Sequence, residues 1–117
     1  MITEDYVSVD VAKLLKEKGM DKSYFKHYVQ KNNNDGTSEA VIVCTHQAAM
    51  KWLREKHNIC ISIYPDKGNR YEAVLYNIKD DVEIILQSFG IYGSHIFEDS
   101  YEEAVEAALK YCLENLI

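Results

Sequence analysis

Two cysteines and two histidines flank one amphipathic run and are residue types that bind metal ions. Cys44 and His46 precede the run, and His57 and Cys60 follow it. Zinc holds its four ligand atoms within about 2.0 to 2.3 Å of one ion. If residues 45–57 form a helix, a rise of about 1.5 Å per residue places the two pairs roughly 16 Å apart. One ion cannot reach both pairs, so the sequence predicts no metal site. We also expect no other cofactor.

The other reactive side chains form no catalytic set that we recognise. The three cysteines lie singly inside apolar segments, where nothing evidently electropositive would activate a thiol. The stretch GIYGSH has two glycines but lacks the lysine of a phosphate-binding loop. Acidic residues gather where the last predicted helix begins, as the helix dipole favours: Glu98, Asp99, Glu102 and Glu103. We therefore predict no catalytic residues and no enzyme activity.

The distribution of charge argues against binding to nucleic acid. The 117-residue chain carries 13 basic and 19 acidic side chains, for a net charge of −6, and the acidic excess lies in residues 61–117. An acidic domain repels a phosphate backbone unless its basic residues cluster on one face. The alternative that stays open is a nucleic-acid-binding module with a local basic face formed by Lys51, Arg54 and Lys56, with Lys13 and Lys16.

The sequence predicts a cytoplasmic protein with no membrane contact. Its first residues are acidic, whereas a secretory signal needs a basic segment followed by an apolar one. The longest apolar runs fall far short of the ~20 residues that a membrane span requires. Unpaired cysteines buried in apolar segments are typical of the reducing cytosol.

Hydrophobic periodicity predicts a single α+β domain over residues 1–117, with the order α-β-β-α-β-β-β-α. Three helices are expected, beginning at the capping residues Ser8, Thr45 and Ser100. The first covers residues 9–18, and the second ends near His57 and Asn58 with Trp52 buried against the sheet. Five strands are expected, at residues 24–30, 39–44, 59–64, 71–78 and 82–89. The strands form an antiparallel sheet with the helices packed on one face.

Nine tyrosines are many for a chain of this length, and the strand pattern suggests a role for two of them. If Tyr64 pairs with Tyr71 across the turn PDKGNR, one sheet face is apolar core and the other is mixed. The mixed face then carries the interface candidates Tyr64, Tyr71, Ala73 and Leu75. Tyrosine combines contact area with a polar group, which suits a partner surface. An equal alternative is that the N-terminal segments cover this face.

Three blocks of sequence carry a family resemblance: EDYVSVDVAKLLKEKG, THQAAMKWLREKHNI and SYEEAVEAALKYCLENLI. They resemble a family of small uncharacterised proteins encoded by phages and prophages of gut anaerobic bacteria. In the second block, the family has a glutamine directly after the threonine, whereas this chain has His46 there and Gln47 next. The chain also has a longer insert, KNNNDGTSEAVIV. The resemblance implies a phage-related genomic context and no catalytic residues.

From Thr45 onward, the predicted order of helix, three strands and helix is also that of double-stranded-RNA-binding domains. This is an analogy of fold. Those modules present basic residues near the start of their last helix, whereas this helix begins with EDSYEE. We therefore expect a non-enzymatic phage accessory protein that binds another protein or a second copy of itself as a homodimer. Nucleic-acid binding is the alternative, and a small-molecule-binding protein or an enzyme ranks third.

Overall fold

A computed structural model of the chain describes residues 5–68, 70–84 and 95–117. The described part contains three α-helices: α1 at Val9–Glu17, α2 at His46–His57 and α3 at Tyr101–Tyr111. A 3₁₀ turn occupies Lys22–Tyr24, and α3 continues into a π-helical turn at Cys112–Leu116. None of the described helices is long and apolar enough to cross a membrane.

The helix boundaries follow from capping residues that were visible in the sequence. Ser8, Thr45 and Ser100 each accept, through the side-chain oxygen, a hydrogen bond from the amide three residues on, at 3.1 to 3.2 Å. Such bonds satisfy amides that have no partner within the first turn. Gly19 and Asn58 follow α1 and α2 with φ angles of 94° and 58°, in the left-handed region. The predicted starts of all three helices and the predicted ends of the first two are confirmed.

The described strands form two antiparallel sheets. They are β1 at His27–Asn32, β2 at Ser38–Val43, β3 at Ile59–Asp66, β4 at Arg70–Asn77, β5 at Val82–Glu83 and β6 at His95–Glu98. The first two pair only with each other. In the second sheet, β3 lies on one side of β4, while β5 and β6 lie along the other side.

Several predictions about the strands are wrong. The sequence predicts one antiparallel sheet, whereas the described strands form two. Residues 22–24 form a 3₁₀ turn, so β1 begins at His27 rather than at residue 24. No strand is predicted between residue 89 and the last helix, but His95–Glu98 form β6, which pairs with β4 over residues 71–74. Residues 85–94, which include residues 85–89 of the predicted fifth strand and most of the stretch GIYGSH, lie outside the described residues.

The core lies between the helices and one face of each sheet. Helix α2 packs on β3, α3 packs on β3, β4 and β6, and α1 packs on β2 and α3. One cluster of buried side chains joins these layers and includes Leu15, Val43, Leu53, Leu75 and Leu109. The predicted α+β class is confirmed. Trp52 is 4% exposed, which confirms its predicted burial.

The register between β3 and β4 differs by one residue from the predicted one. Tyr64 lies opposite Glu72, and Tyr71 lies opposite Pro65. The strands extend further into the turn than predicted, so that Asp66 pairs with Arg70 and three residues connect them. Gly68, with φ of 77°, supplies the left-handed conformation that such a short loop needs.

A shift of one residue exchanges the two faces of a strand. Ala73 and Leu75 therefore point to the helices and are 0% exposed. The prediction that Tyr64, Tyr71, Ala73 and Leu75 share an open face is wrong. Three of these four lie on the helix side, together with Ile59, Ile61 and Ile63. The outer face of the sheet includes Cys60, Ser62, Tyr64, Glu72, Val74, Tyr76 and Phe97.

Candidate protein-binding edge

Strand β3 forms one margin of the four-stranded sheet. Among the described residues it pairs with β4 alone. In an antiparallel ladder, successive residues of a strand direct their N–H and C=O groups alternately toward one neighbour and toward the other. The groups that β3 directs away from β4 can therefore be identified once one hydrogen-bonded pair is known.

Two backbone hydrogen bonds fix which residues of β3 point toward β4. The amide of Ile78 donates to the carbonyl of Asn58 at 2.8 Å, at the position that continues the β3–β4 register. Asn58 and Ile78 are thus a hydrogen-bonded pair. Because hydrogen-bonded pairs recur at every second residue of an antiparallel ladder, the even-numbered residues of β3 are also hydrogen-bonded to their partners in β4. On the far side of β4, the amide of Ile84 donates to the carbonyl of Leu75 at 2.8 Å. The backbone N–H and C=O groups of Leu75 therefore point toward β5 and away from β3. This independently gives the same alternation.

The odd-numbered residues of β3 direct their backbone groups away from the sheet. We call the N–H and C=O groups of Ile59, Ile61 and Ile63 the outward edge. Within the described part of the chain, the backbone hydrogen bonds found outside the regular elements do not involve these groups. Pro65, next in the series, has a carbonyl but no N–H to offer. The outward edge is thus a row of six hydrogen-bonding groups that ends at a proline.

The side chains along β3 do little to prevent another strand from pairing there. Proteins commonly protect such margins with lysine or other charged residues. Residues 59–65 carry no charge, and among them Pro65 alone hinders pairing, because it lacks an N–H donor. The helix-facing side chains of Ile59 and Ile61 are buried, whereas that of Ile63 is half-buried. A strand added beside β3 could cover the remainder of Ile63.

The outer face beside this edge carries partly exposed aromatic rings. Tyr64 is 51% exposed and Phe97 is 42% exposed. The guanidinium of Arg70 lies 5.1 Å from the centre of the Phe97 ring and is bonded to Asp66 at 3.1 Å. Of the predicted interface residues, Tyr64 alone is exposed on this face, while Tyr71 packs edge-on against Tyr101 on the helix side.

The residues of the nucleic-acid alternative lie on the exposed surfaces of α1 and α2, where acidic side chains accompany some of them. Lys51 pairs with Glu55 at 3.9 Å, one turn along α2, and Lys13 pairs with Glu39 at 3.4 Å. The ammonium group of Lys16 lies 5.0 Å from the centre of the Phe25 ring. Arg54 and Lys56 are exposed on α2, and basic binding through them stays a prediction.

Two of the three thiols are held in their neutral form. Burial raises the pKa of Cys44 to about 11 and that of Cys112 to about 12. A thiol must lose its proton to act as a nucleophile or a metal ligand. Cys44 lies at one end of α2, and half-buried Cys60 follows its other end, as predicted from their spacing.

A hydrogen-bonded pair that sequence reasoning missed connects all three helices. The imidazole Nε2 of His46, at the start of α2, lies 2.9 Å from Oε1 of Glu106 in α3. The same oxygen accepts a hydrogen bond from the amide of Ser8, which caps α1, at 2.8 Å. Burial opposes ionisation of Glu106, but the bonds from His46 and Ser8 outweigh it and hold the pKa of Glu106 below its usual value. The partners are 60 residues apart, so no local pattern reveals them.

Acidic side chains surround this pair in an open cleft of about 440 Å³. Its lining includes Asp5, Glu98, Glu102 and Glu103. Burial, followed by the charges of Glu103 and Asp99, raises the pKa of Glu98. Within residues 5–68, 70–84 and 95–117, the histidine, cysteine and acidic side chains form no group of three or more that could hold a metal ion.

Comparison of the chain with protein-family models, with curated proteins and with solved structures finds no match. The resemblance to phage-encoded proteins therefore stays a prediction.

Proposed function

We propose that the chain is a protein-interaction module that binds an extended segment of a partner beside β3. The observation that carries this proposal is the outward edge, with six backbone groups directed away from β4. Strand addition of this kind is a recurring way of recognising peptides, in which main-chain bonds give affinity and alternate side chains give specificity. The uncharged sequence of residues 59–65 supports it further.

The energetics of such binding follow from the character of this edge. Each new main-chain hydrogen bond replaces one to water and contributes a net ~0.5 to 1.5 kcal/mol. Apolar contact adds to this on both faces, because Ile63 is half-buried on the helix side and Tyr64 is 51% exposed on the outer side. A partner segment that alternates apolar residues toward the helices would gain most.

The proposal also covers where the protein acts and whether it catalyses a reaction. We expect it to act in the cytoplasm, as an accessory protein of phage or prophage, without catalysing a reaction. The neutral thiols of Cys44 and Cys112 support the last point, since neither can serve as a ready nucleophile. The ion pairs of Lys51 and Lys13 with acidic neighbours make a protein partner a better proposal than a phosphate backbone.

A pair of variants at Ile63 tests whether the outward edge binds. Ile63→Pro removes one outward N–H and leaves the β3–β4 ladder intact, because the ladder bonds of β3 come from its even-numbered residues. Ile63→Ala trims the same side chain and keeps the N–H. Peptides selected from a displayed random library on the wild-type protein should bind Ile63→Ala and lose at least tenfold in affinity for Ile63→Pro. Equal binding to both variants by every selected peptide would mean that the edge is not the site.

A further inference from the structure

We infer that the segment that fits beside β3 is β3 of a second copy, antiparallel to the first, with a twofold axis at Ile61. This rests on the proposed function, because it names the partner of the same edge. Closed twofold pairing is the commonest form of association, and it requires a surface that is complementary to itself. The outward edge of β3 meets that requirement in its hydrogen bonds, its side chains and its charge.

The hydrogen bonds select one register. Outward groups of one copy can bond only to outward groups of the other, so odd-numbered residues must lie opposite odd-numbered residues. With Ile61 opposite the same residue of the second copy, Ile59 lies opposite Ile63, and all six groups of each copy find partners. In the next register along the strand, Ile59 lies opposite Pro65, which cannot donate, and the carbonyl of Ile59 is left without a partner. The axis at Ile61 therefore uses the edge completely.

The side chains of this register are compatible on both faces. On the helix side, isoleucine meets isoleucine, and the half-buried Ile63 gains cover from Ile59 of the second copy. On the outer side, Cys60 lies opposite Ser62, so two small side chains meet at each such position. Residues 59–65 carry no charge, so two identical strands can approach without the repulsion that a charged strand would exert on its copy. A strongly basic or acidic partner strand would gain no electrostatic attraction there.

Engineered disulfides can show directly which residues of the two β3 strands lie opposite each other. Residues opposite each other at positions without mutual hydrogen bonds have Cα atoms about 4.5 Å apart, within the range that a disulfide spans. In the inferred register, Ser62→Cys places its new thiol opposite Cys60 of the second copy. The double variant Cys60→Ser/Ser62→Cys places a thiol opposite a serine, and it cross-links only if residue 62 faces itself, as in the neighbouring register. Buried, neutral Cys44 and Cys112 give little background.

The experiment combines mass measurement with mild oxidation of the full chain. Light scattering at about 100 µM should give a dimer mass for the wild type and for Ser62→Cys. Oxidation should cross-link Ser62→Cys through bridges between Cys60 and the introduced thiol at position 62, found by peptide mapping, and leave the wild type and the double variant uncrosslinked. A dimer in which the double variant cross-links, or in which neither variant does, would overturn the inferred register. A monomeric mass would overturn the second copy as partner, while edge-dependent peptide binding would still support the proposed function.

Discussion

Ile61 lies opposite Leu75 in the β3–β4 ladder, and both side chains are buried against the helices, yet the backbone groups of Ile61 face away from the strand of Leu75. One residue thus belongs to the core through its side chain and to the proposed interface through its main chain. The fold can hold β3 firmly while its outward edge stays available to a partner. This relationship explains why a binding edge can exist without a large exposed apolar surface.

Leu75 tests the register, because the predicted register placed it on an open face and the structure places it in the core. Leu75→Ala should lower the free energy of unfolding by about 2 to 5 kcal/mol, as for other fully buried leucines. Tyr64→Ala, on the outer face of the same sheet, should change it by less than about 1 kcal/mol, since half of its surface is exposed. Urea unfolding followed by circular dichroism measures both. Similar losses for the two variants would mean that the faces are assigned wrongly.

Trp52 anchors α2 on the sheet and should be costly to remove. It is 4% exposed, and its ring meets the edge of the His57 imidazole at a centroid distance of 4.7 Å. Trp52→Ala should destabilise the fold by about 3 to 5 kcal/mol. Lys56→Ala, exposed on the same helix, is the control and should be nearly neutral. Wild-type stability for Trp52→Ala, measured by thermal and urea unfolding, would contradict the position of α2.

Glu106 should make stability depend on pH. Its pKa is lowered in the folded state, so its ionised form stabilises the fold above the unfolded pKa of about 4.3, and this contribution is lost as the pH falls through the lower folded value. Glu106→Gln should cost about 1.5 to 3 kcal/mol at pH 7, the size of a hydrogen bond to a charged group, and progressively less in acid. Urea unfolding between pH 7 and pH 3 measures the difference.

Glu114→Gln is the matched control for Glu106, because Glu114 is exposed and lies 3.9 Å from Lys110. It should change the free energy of unfolding at pH 7 by less than about 0.5 kcal/mol, as for other exposed ion pairs. A difference between wild type and Glu106→Gln that stayed constant down to pH 3 would show that Glu106 is not ionised in the fold. It would also remove the charged partner that we assign to His46.

Local signals in the sequence predicted the helices well, because caps and stops act within one turn. Ser8, Thr45 and Ser100 are such signals, and Asn58 is another. The register of β3 and β4 depends on where the turn closes, and the sequence pattern allows two closures that differ by one residue. The predicted register, which paired Tyr64 with Tyr71, assigned Leu75 to the wrong face. It also did not reveal that the odd-numbered residues of β3 direct their backbone groups away from β4.

Contacts between distant residues could not be predicted from local patterns. Strand β6 is four residues long and is defined by its pairing with β4 rather than by its own periodicity. The bond between His46 and Glu106 depends on how α2 and α3 pack. The outward edge also could not be predicted from the sequence. The direction of a backbone group in a strand depends on the hydrogen-bonding pattern of the ladder and not on the side chain.

Amide hydrogen exchange along β3 tests the central claim most directly. The outward amides belong to Ile59, Ile61 and Ile63, and the amides bonded to β4 belong to Cys60, Ser62 and Tyr64. In dilute protein, we expect fast exchange of the outward amides and slow exchange of the others, in strict alternation. Raising the concentration to about 1 mM should slow the outward amides at least tenfold as β3 pairs with β3. Slow exchange of all six amides in dilute monomer would contradict the account, because the edge would then already be covered within one chain.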